Sequence, residues 1–294
     1  MTTPARAAGK LGRRPAQFPA GLRDLTYYVA GDLPKPPASM PVPDFPDWGV
    51  LANDRLGDCG VAGLQHLMEA AATDVGKRES WPAGRQAASY YLQYTGGQDD
   101  GVVLSQFLAY VRRHGYYGHS VKAFTPVAVH DVPTLQTAIW LYDAVYTGIN
   151  VTQAMMDAFG QHEPWTLDMA QGEPLGGHCI PLVGYDGQYV HAVTWGAVQK
   201  IEYPAWHAMS SEAWAVIVGE LAAGDGHGVD LAALEADLDK LDVPMPPAPP
   251  APVPPTPPDP NRLLGELAAL IRGLAGLEQQ DVTELLSFLA SHGL

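Results

Sequence analysis

Residues 53–60 read Asn-Asp-Arg-Leu-Gly-Asp-Cys-Gly and stand directly ahead of a strongly helical pattern. Beyond Gly60 the apolar residues recur at helical spacing, which predicts a buried helix with Cys59 in its first turn. Unpaired backbone N–H groups and the positive end of the helix dipole favour a thiolate at such a position. The pattern therefore marks Cys59 as a candidate nucleophile, although a free cysteine taken alone is more often a buried apolar residue.

A second stretch, residues 176–185, reads Gly-Gly-His-Cys-Ile-Pro-Leu-Val-Gly-Tyr and is typical of an apolar strand. His178 enters this strand and can present its imidazole ring to Cys59 once the two halves of a domain close. Side chains alternate along a strand, so Cys179 is expected on the opposite face, as a core residue. The joint pattern predicts a nucleophile with its general base.

The first half of the chain shows helical periodicity and the second half shows strands, which predicts an α+β domain. Helices are predicted from residue 60 onward and over 81–94, 104–114, 132–142 and 231–241. Strands are predicted over 121–129, 144–151, 179–185, 189–194 and 198–203. Residues 211–221 alternate like a strand but have helix-friendly flanks, so both structures stay open.

Composition divides the chain into five parts. These are an extended, partly disordered N-terminal arm (1–45), a globular domain (46–225), an acidic helical extension (226–243), a proline-rich linker (244–260) and a C-terminal helical docking module (261–294). The proline run predicts a stiff polyproline II spacer. The short terminal helices rarely stabilise themselves alone, so they are expected to bind a protein partner or to self-associate. For the arm, a solvated tail is the favoured interpretation and docking on a partner is the weaker one.

The formal net charge of −15 argues against a general binder of nucleic acid or of anionic membranes. The two cysteines exclude a disulfide scaffold, and no residue spacing matches a metal site, so no metal or cofactor is expected. The N-terminus lacks the apolar core of a signal peptide, and no stretch is apolar enough to span a membrane. A soluble protein is predicted.

On these motifs the chain resembles the papain-like cysteine peptidase superfamily. Its Asn-Asp-x-x-Gly-Asp-Cys variant is similar to papain-like proteins found in bacterial and bacteriophage genomes. Cys59 matches the family's nucleophile and His178 its base. Asn53 occupies the place of a glutamine that helps to form the oxyanion hole. The resemblance covers residues from about 45 to about 220 and implies a helical N-terminal half and an antiparallel β-sheet in the C-terminal half.

The sequence departs from the family where an asparagine orients the histidine. Alignment on Trp195, which is expected to shield the histidine from water, places that asparagine at Val193. Thr194 is the favoured substitute as the orienting group, and Asp186 is the alternative. Asp58 opposes thiolate formation by like charge, and its carboxylate is expected to turn back onto backbone N–H groups at the helix start.

The resemblance implies a hydrolase that cleaves peptide, isopeptide or peptidoglycan stem-peptide bonds through a Cys59 thioester. A transferase with the same intermediate is an open variant. The alternative, from another class, is a weak or inactive papain-like module of a larger assembly, such as a phage virion, tethered by residues 261–294. The implied location is accordingly cytoplasmic or virion-associated. The sequence does not choose the substrate.

Overall fold

The computed structural model describes residues 8–29, 31–74, 76, 81–219 and 228–241. The predicted linker 244–260 and helical module 261–294 lie outside these residues. The helices are α1 (Leu25–Tyr28), α2 (Cys59–Asp74), α3 (Gly84–Tyr94), α4 (Leu104–His114), α5 (Val132–Tyr142), α6 (Gln153–Gln161), α7 (Leu167–Ala170), α8 (Tyr203–Met209) and α9 (Leu231–Asp239). The strands are β1 (Val121–Pro126), β2 (Val145–Thr152), β3 (Pro174–Tyr185), β4 (Tyr189–Thr194), β5 (Ala197–Glu202) and β6 (Ser210–Val218).

The six strands form one sheet in the order β1-β6-β2-β3-β4-β5, and every neighbouring pair is antiparallel. This arrangement confirms the predicted α+β class, with α1–α4 ahead of the first strand and α5–α9 between or after the strands. The open question over residues 211–221 is resolved as β6, which pairs with both β1 and β2. Residues 213–218 of β6 are all buried, so other parts of the domain cover both faces of this inner strand.

Helix α2 is the buried centre of the helical half and packs on β3. Its residues Leu64, Leu67 and Met68 are at most 1% exposed. The helix is apolar nearly all round, which is typical of a helix enclosed by protein. At its point of closest approach to the sheet, a Cβ added to Gly63 would lie 3.0 Å from the Sγ of Cys179. The helix and strand therefore meet almost backbone to backbone at the end of α2 that carries Cys59.

Helix α9 confirms the predicted helix over residues 231–241 in slightly shorter form. Asp230 caps its N-terminus by accepting a hydrogen bond from the backbone N–H of Ala233 at 3.0 Å. Leu234 and Leu238 are buried, and the Tyr28 hydroxyl donates to Asp237 at 3.0 Å. The acidic helix thus packs on the globular domain through α1.

The N-terminal segment corrects the solvated-tail interpretation, because its described residues are hydrogen-bonded to the domain. Met40 and Tyr185 exchange two backbone hydrogen bonds, each of 2.9 Å. The rings of Phe45 and Trp48 lie with centroids 4.8 Å apart, and both residues pack with the hydrophobic core. Within the described ranges, no helix is long and apolar enough to cross a membrane.

The contact between α2 and β3 predicts a large penalty for any side chain at Gly63. The substitution Gly63→Val should lower the free energy of unfolding by about 1–3 kcal/mol, because the added methyl groups meet Cys179 and Tyr146. Gly187→Val is the matched control, since a Cβ there has open space and the change should stay within about 0.5 kcal/mol. Equal denaturant midpoints for the two variants would contradict this packing.

Candidate functional site

Cys59 starts helix α2 and is only 1% exposed. Its thiol lies against the backbone N–H of Cys179, the residue that follows His178 on β3. The structure therefore brings the helix start and the histidine strand together, as the sequence pattern predicted. Cys179 itself is buried in the core beside Gly63 of α2. Its predicted core position is correct.

His178 is held from two sides. Its Nε2 atom lies 2.8 Å from the hydroxyl oxygen of Thr194, at the end of β4. The indole ring of Trp195 stacks on the imidazole with centroids 4.6 Å apart, so it covers one face of the ring. The Nδ1 atom is buried and has no hydrogen-bond partner among the described residues. One ring nitrogen is thus fixed, and the other is left without a protein partner.

The geometry distinguishes the two predicted orienting groups by where they lie. Thr194 contacts His178, whereas Val193 has no group that can do so. Asp186 instead accepts hydrogen bonds from the backbone N–H groups of Gln188 and Tyr189, and it lies 3.1 Å from Nε2 of His191. The alternative that Asp186 orients His178 is therefore wrong.

Asn53 lies in the loop before Cys59, and its side chain is buried. The Nδ2 atom donates to the backbone carbonyl of Leu56 at 3.0 Å and to that of Lys10 at 3.2 Å. The first bond fixes the loop from within. The bond to Lys10 shows that the Asn53 amide can donate to a carbonyl oxygen of a separate peptide segment.

Asp58 takes its predicted position only in part. Both carboxylate oxygens are buried and make no hydrogen bond of normal geometry among the described residues. The expected turn toward backbone N–H groups is only partly realised, since the carboxylate lies near its own backbone N–H and near the Asn53 amide. Burial raises the pKa of the carboxyl to about 8, although the nearby Asn53 amide favours the charged form. The residue beside Cys59 is consequently a neutral acid at pH 7, and it repels a thiolate less than the sequence suggested.

Sequence reasoning missed the segment that covers the thiol. This segment consists of residues 8–17, a part of the predicted N-terminal arm 1–45, and from here on only residues 8–17 are called the arm. The backbone N–H of Arg13 donates to the carbonyl of Gly177 at 3.0 Å, and that of Arg14 donates to Val102 at 2.8 Å. Val102 in turn donates to the carbonyl of Gly12 at 2.8 Å. The arm therefore runs as an extended chain between the helical half and strand β3.

Gly12 allows the arm to come this close. A Cβ on Gly12 would lie 1.7 Å from the carbonyl oxygen of Gly57, a distance that no side chain tolerates. Gly101 on the neighbouring loop is equally constrained, since its Cβ would lie 2.0 Å from the Gly12 carbonyl oxygen. The available sequence signal was a basic, glycine-containing stretch, residues 9–14, in an acidic chain. Nothing in that signal shows where the stretch binds.

The arm reverses the predicted ionisation of the site. Burial raises the pKa of the Cys59 thiol to about 12, against the smaller opposing influence of the Cys179 and Gly12 N–H groups. Burial and, to a smaller extent, the positive charge of Arg13 lower the pKa of His178 to about 3. The lowered thiol pKa expected from the helix start is thus wrong for this closed arrangement, in which thiol and imidazole are both neutral.

The site contains no metal cluster among the residues that the structure describes. No group of three or more His, Cys, Asp or Glu side chains in those ranges is placed to hold an ion.

The close fit of Gly12 predicts that a side chain there expels the arm. Gly12→Val should raise the rate of Cys59 alkylation by iodoacetamide at pH 7 roughly tenfold or more, because it uncovers the thiol and relieves its burial. Ala20→Val adds the same side chain at an exposed position and should leave the rate unchanged. Mass spectrometry locates the modified cysteine. Equal labelling of Cys59 in the two variants would show that the arm does not cover the thiol.

Comparison with known proteins supplies the fold. No model of a protein family matches the sequence, and no curated protein does. Among solved structures, the chain is similar to xylellain, a cysteine protease from Xylella fastidiosa, at 12% identity and a TM-score of 0.57. The match covers 74% of this chain and 98% of xylellain.

Two further cysteine proteases match less closely. They are the proform of the ragweed pollen allergen Amb a 11 and the cysteine protease and lectin-like domains of Cwp84 from Clostridium difficile. Their identities are 14% and 12%, with TM-scores of 0.42 and 0.43. Each match covers 68% of this chain, with 70% of the Amb a 11 chain and 57% of the Cwp84 chain. The similarity to xylellain shows that this chain, with its helices and six-stranded antiparallel sheet, has the fold of that cysteine protease.

Proposed function

We propose that the chain is a cysteine peptidase-like hydrolase that cleaves amide bonds through a thioester on Cys59. The observation that carries this proposal is the site at the start of α2. There the Cys59 thiol lies beside the strand that carries His178, and the imidazole is held on one nitrogen only. A peptide segment of the chain itself, the arm, lies in the cleft between the helical half and strand β3. The substrates are peptides, isopeptides or peptidoglycan stem peptides.

The chemistry proceeds in two stages. His178 removes the proton from Cys59, and the thiolate attacks the carbonyl carbon of the substrate amide. The oxyanion receives hydrogen bonds from the backbone N–H of Cys59 and from Nδ2 of Asn53. His178 then protonates the leaving amine, and water hydrolyses the thioester to release the acid and restore the thiol. The bond from Asn53 to the Lys10 carbonyl supports this role, because it points the same donor at a peptide carbonyl in the cleft.

The arm has to leave the cleft before this reaction begins. With the arm bound, Cys59 is buried and both members of the pair are neutral. Release of the arm admits water, which removes the burial that raises the thiol pKa and lowers the imidazole pKa. It also removes the charge of Arg13 from beside His178. The thiolate–imidazolium pair therefore belongs to the arm-free state.

The closed cleft also supports a second function, the papain-like structural module tethered to a partner by residues 261–294. A thiol sealed under its own chain is the arrangement expected if the cysteine does no chemistry. The two functions differ in whether Cys59 becomes reactive once the arm is displaced.

Two cysteine substitutions in the full chain carrying Gly12→Val test the proposal. Cys59→Ala should abolish both covalent capture by a peptidyl chloromethyl ketone and cleavage of fluorescent casein, because no other residue is proposed as the nucleophile. Cys179→Ala is the matched control and should retain both activities, since that thiol packs in the core. Intact-mass spectrometry reads the adduct. Folded Gly12→Val protein that exposes Cys59 to iodoacetamide, yet forms no adduct and cleaves neither casein nor isopeptide-linked peptides, would favour the structural module.

The hydrogen bond between Thr194 and Nε2 of His178 predicts a positioning role for that threonine. Thr194→Val should lower kcat/KM roughly tenfold or more and alter the pH–rate profile, because the imidazole loses the group that fixes its orientation. Thr194→Ser keeps the hydroxyl and should recover most of the rate. If valine and serine gave the same profile as threonine, another residue would orient His178.

A further inference from the structure

Arg13 is the one residue within 8–20 that is buried, at 9% exposure. Its guanidinium group enters the domain and binds side chains from two strands. Its Nη1 atom lies 3.2 Å from Oε1 of Glu212 on β6, and Nη2 donates to Oδ1 of Asn150 on β2 at 2.8 Å. Nη1 also donates to the carbonyl of Arg14 at 3.3 Å. The arm thus inserts one charged side chain into a polar recess of the sheet.

Glu212 forms the base of this recess and is 0% exposed. Its Oε2 atom accepts a hydrogen bond of 2.9 Å from the indole N–H of Trp214, which fixes the carboxylate from the core side. Its Oε1 atom faces Arg13. Burial raises the pKa of Glu212, and the charge of Arg13 opposes that shift. A buried carboxylate is stable only with a counter-charge, and here that charge comes from a segment outside the domain core.

Two glycines give the recess its width. A Cβ on Gly148 would lie 2.6 Å from the Cδ of Arg13, and a Cβ on Gly177 would lie 2.9 Å from its Nε. Any side chain at either position would fill the space that the arginine side chain now occupies. The recess is therefore shaped for a long, narrow side chain that ends in a cation.

Apart from the glycine required at position 12, the backbone of the arm is bound through main-chain hydrogen bonds. Hydrogen bonds join Arg13 to the carbonyl of Gly177 on one side, and Gly12 and Arg14 to Val102 on the other. Main-chain bonds of this type bind any extended peptide, and side-chain recesses supply the specificity. The recess of Arg13 lies close to Cys59, since the N–H of the preceding residue, Gly12, lies against the thiol.

We propose that Glu212 and Asn150 form a specificity pocket for an arginine side chain of a substrate peptide, and that Arg13 fills that pocket in the closed chain. This assignment rests on the proposed hydrolase function and names its substrate class: peptides with an arginine within a few residues of the reacting bond. Two acceptors on different strands match the forked guanidinium group, whereas a lysine ammonium is a single point charge. Arginine is accordingly preferred over lysine.

Binding of a peptide that copies the arm tests the pocket without requiring catalysis. The receptor is the full chain carrying Arg13→Ala and Cys59→Ala, which empties the recess and prevents turnover. The probe is a fluorescein-labelled peptide with the sequence of residues 9–17, compared with the same peptide carrying citrulline, the neutral isostere of arginine, at position 13. By fluorescence anisotropy the arginine peptide should bind about tenfold or more tightly, because citrulline leaves the Glu212 carboxylate without a counter-charge.

Further substitutions in that receptor show which residues cause the difference in binding between the arginine and citrulline peptides. Glu212→Gln should erase the difference between the two peptides, whereas Glu163→Gln, an exposed carboxylate, should preserve it. If Glu212→Gln fails to fold, Asn150→Ala replaces it. Asn150→Ala should reduce the preference for the arginine peptide over the citrulline peptide. Equal binding of the two peptides to the folded receptor would overturn the proposal.

A small-molecule measurement decides the case in which neither peptide binds. Ethylguanidinium should raise the melting temperature of the Arg13→Ala chain by filling the vacated recess, whereas neutral ethylurea should not. No shift with ethylguanidinium would overturn the pocket. The hydrolase proposal is tested separately. If it is wrong, Cys59 of the Gly12→Val chain forms no covalent adduct with the peptidyl chloromethyl ketone. The two failures are therefore distinguishable.

Discussion

Helix α2 begins against strand β3, and this contact determines what the site can do. The closeness of Gly63 to Cys179 brings the first turn of the helix to the strand that carries His178. Thr194 and Trp195 then fix the imidazole from the next strand and the following turn. The nucleophile candidate and its base thus belong to opposite halves of the domain and are joined by a buried core. Their geometry depends on packing rather than on loop conformation.

The arm adds an electrostatic constraint to this packing. It buries Cys59 and His178 together and places the positive charge of Arg13 beside the imidazole, so both groups are neutral. The same arginine neutralises the Glu212 carboxylate, which would otherwise be buried alone. One side chain therefore links closure of the cleft, ionisation of the pair and the charge of the recess. Displacement of the arm changes all three at once.

Much of this arrangement was predictable from sequence. Periodicity gave the helix after Gly60 and the strand after His178, and the hydroxyl of Thr194 was the favoured partner of the imidazole. Three features were not predictable, namely the course of the arm, the unpaired Asp58 carboxyl and the burial that raises the thiol pKa. Each depends on contacts between segments far apart in the chain. Local pattern carries no information about such contacts.

Hydrogen exchange of the arm amides tests most directly whether residues 8–17 close the cleft. The backbone N–H groups of Lys10, Arg13 and Arg14 donate to carbonyls of the domain, so in the native chain they should exchange far more slowly than in an unstructured peptide of the same sequence. The amide of Val102 donates to the carbonyl of Gly12, so its protection from exchange should follow that of the arm amides. Exchange of the Arg13 and Arg14 amides at the rate of the free peptide would show that the arm does not occupy the cleft, and would contradict the closed arrangement of Cys59 and His178.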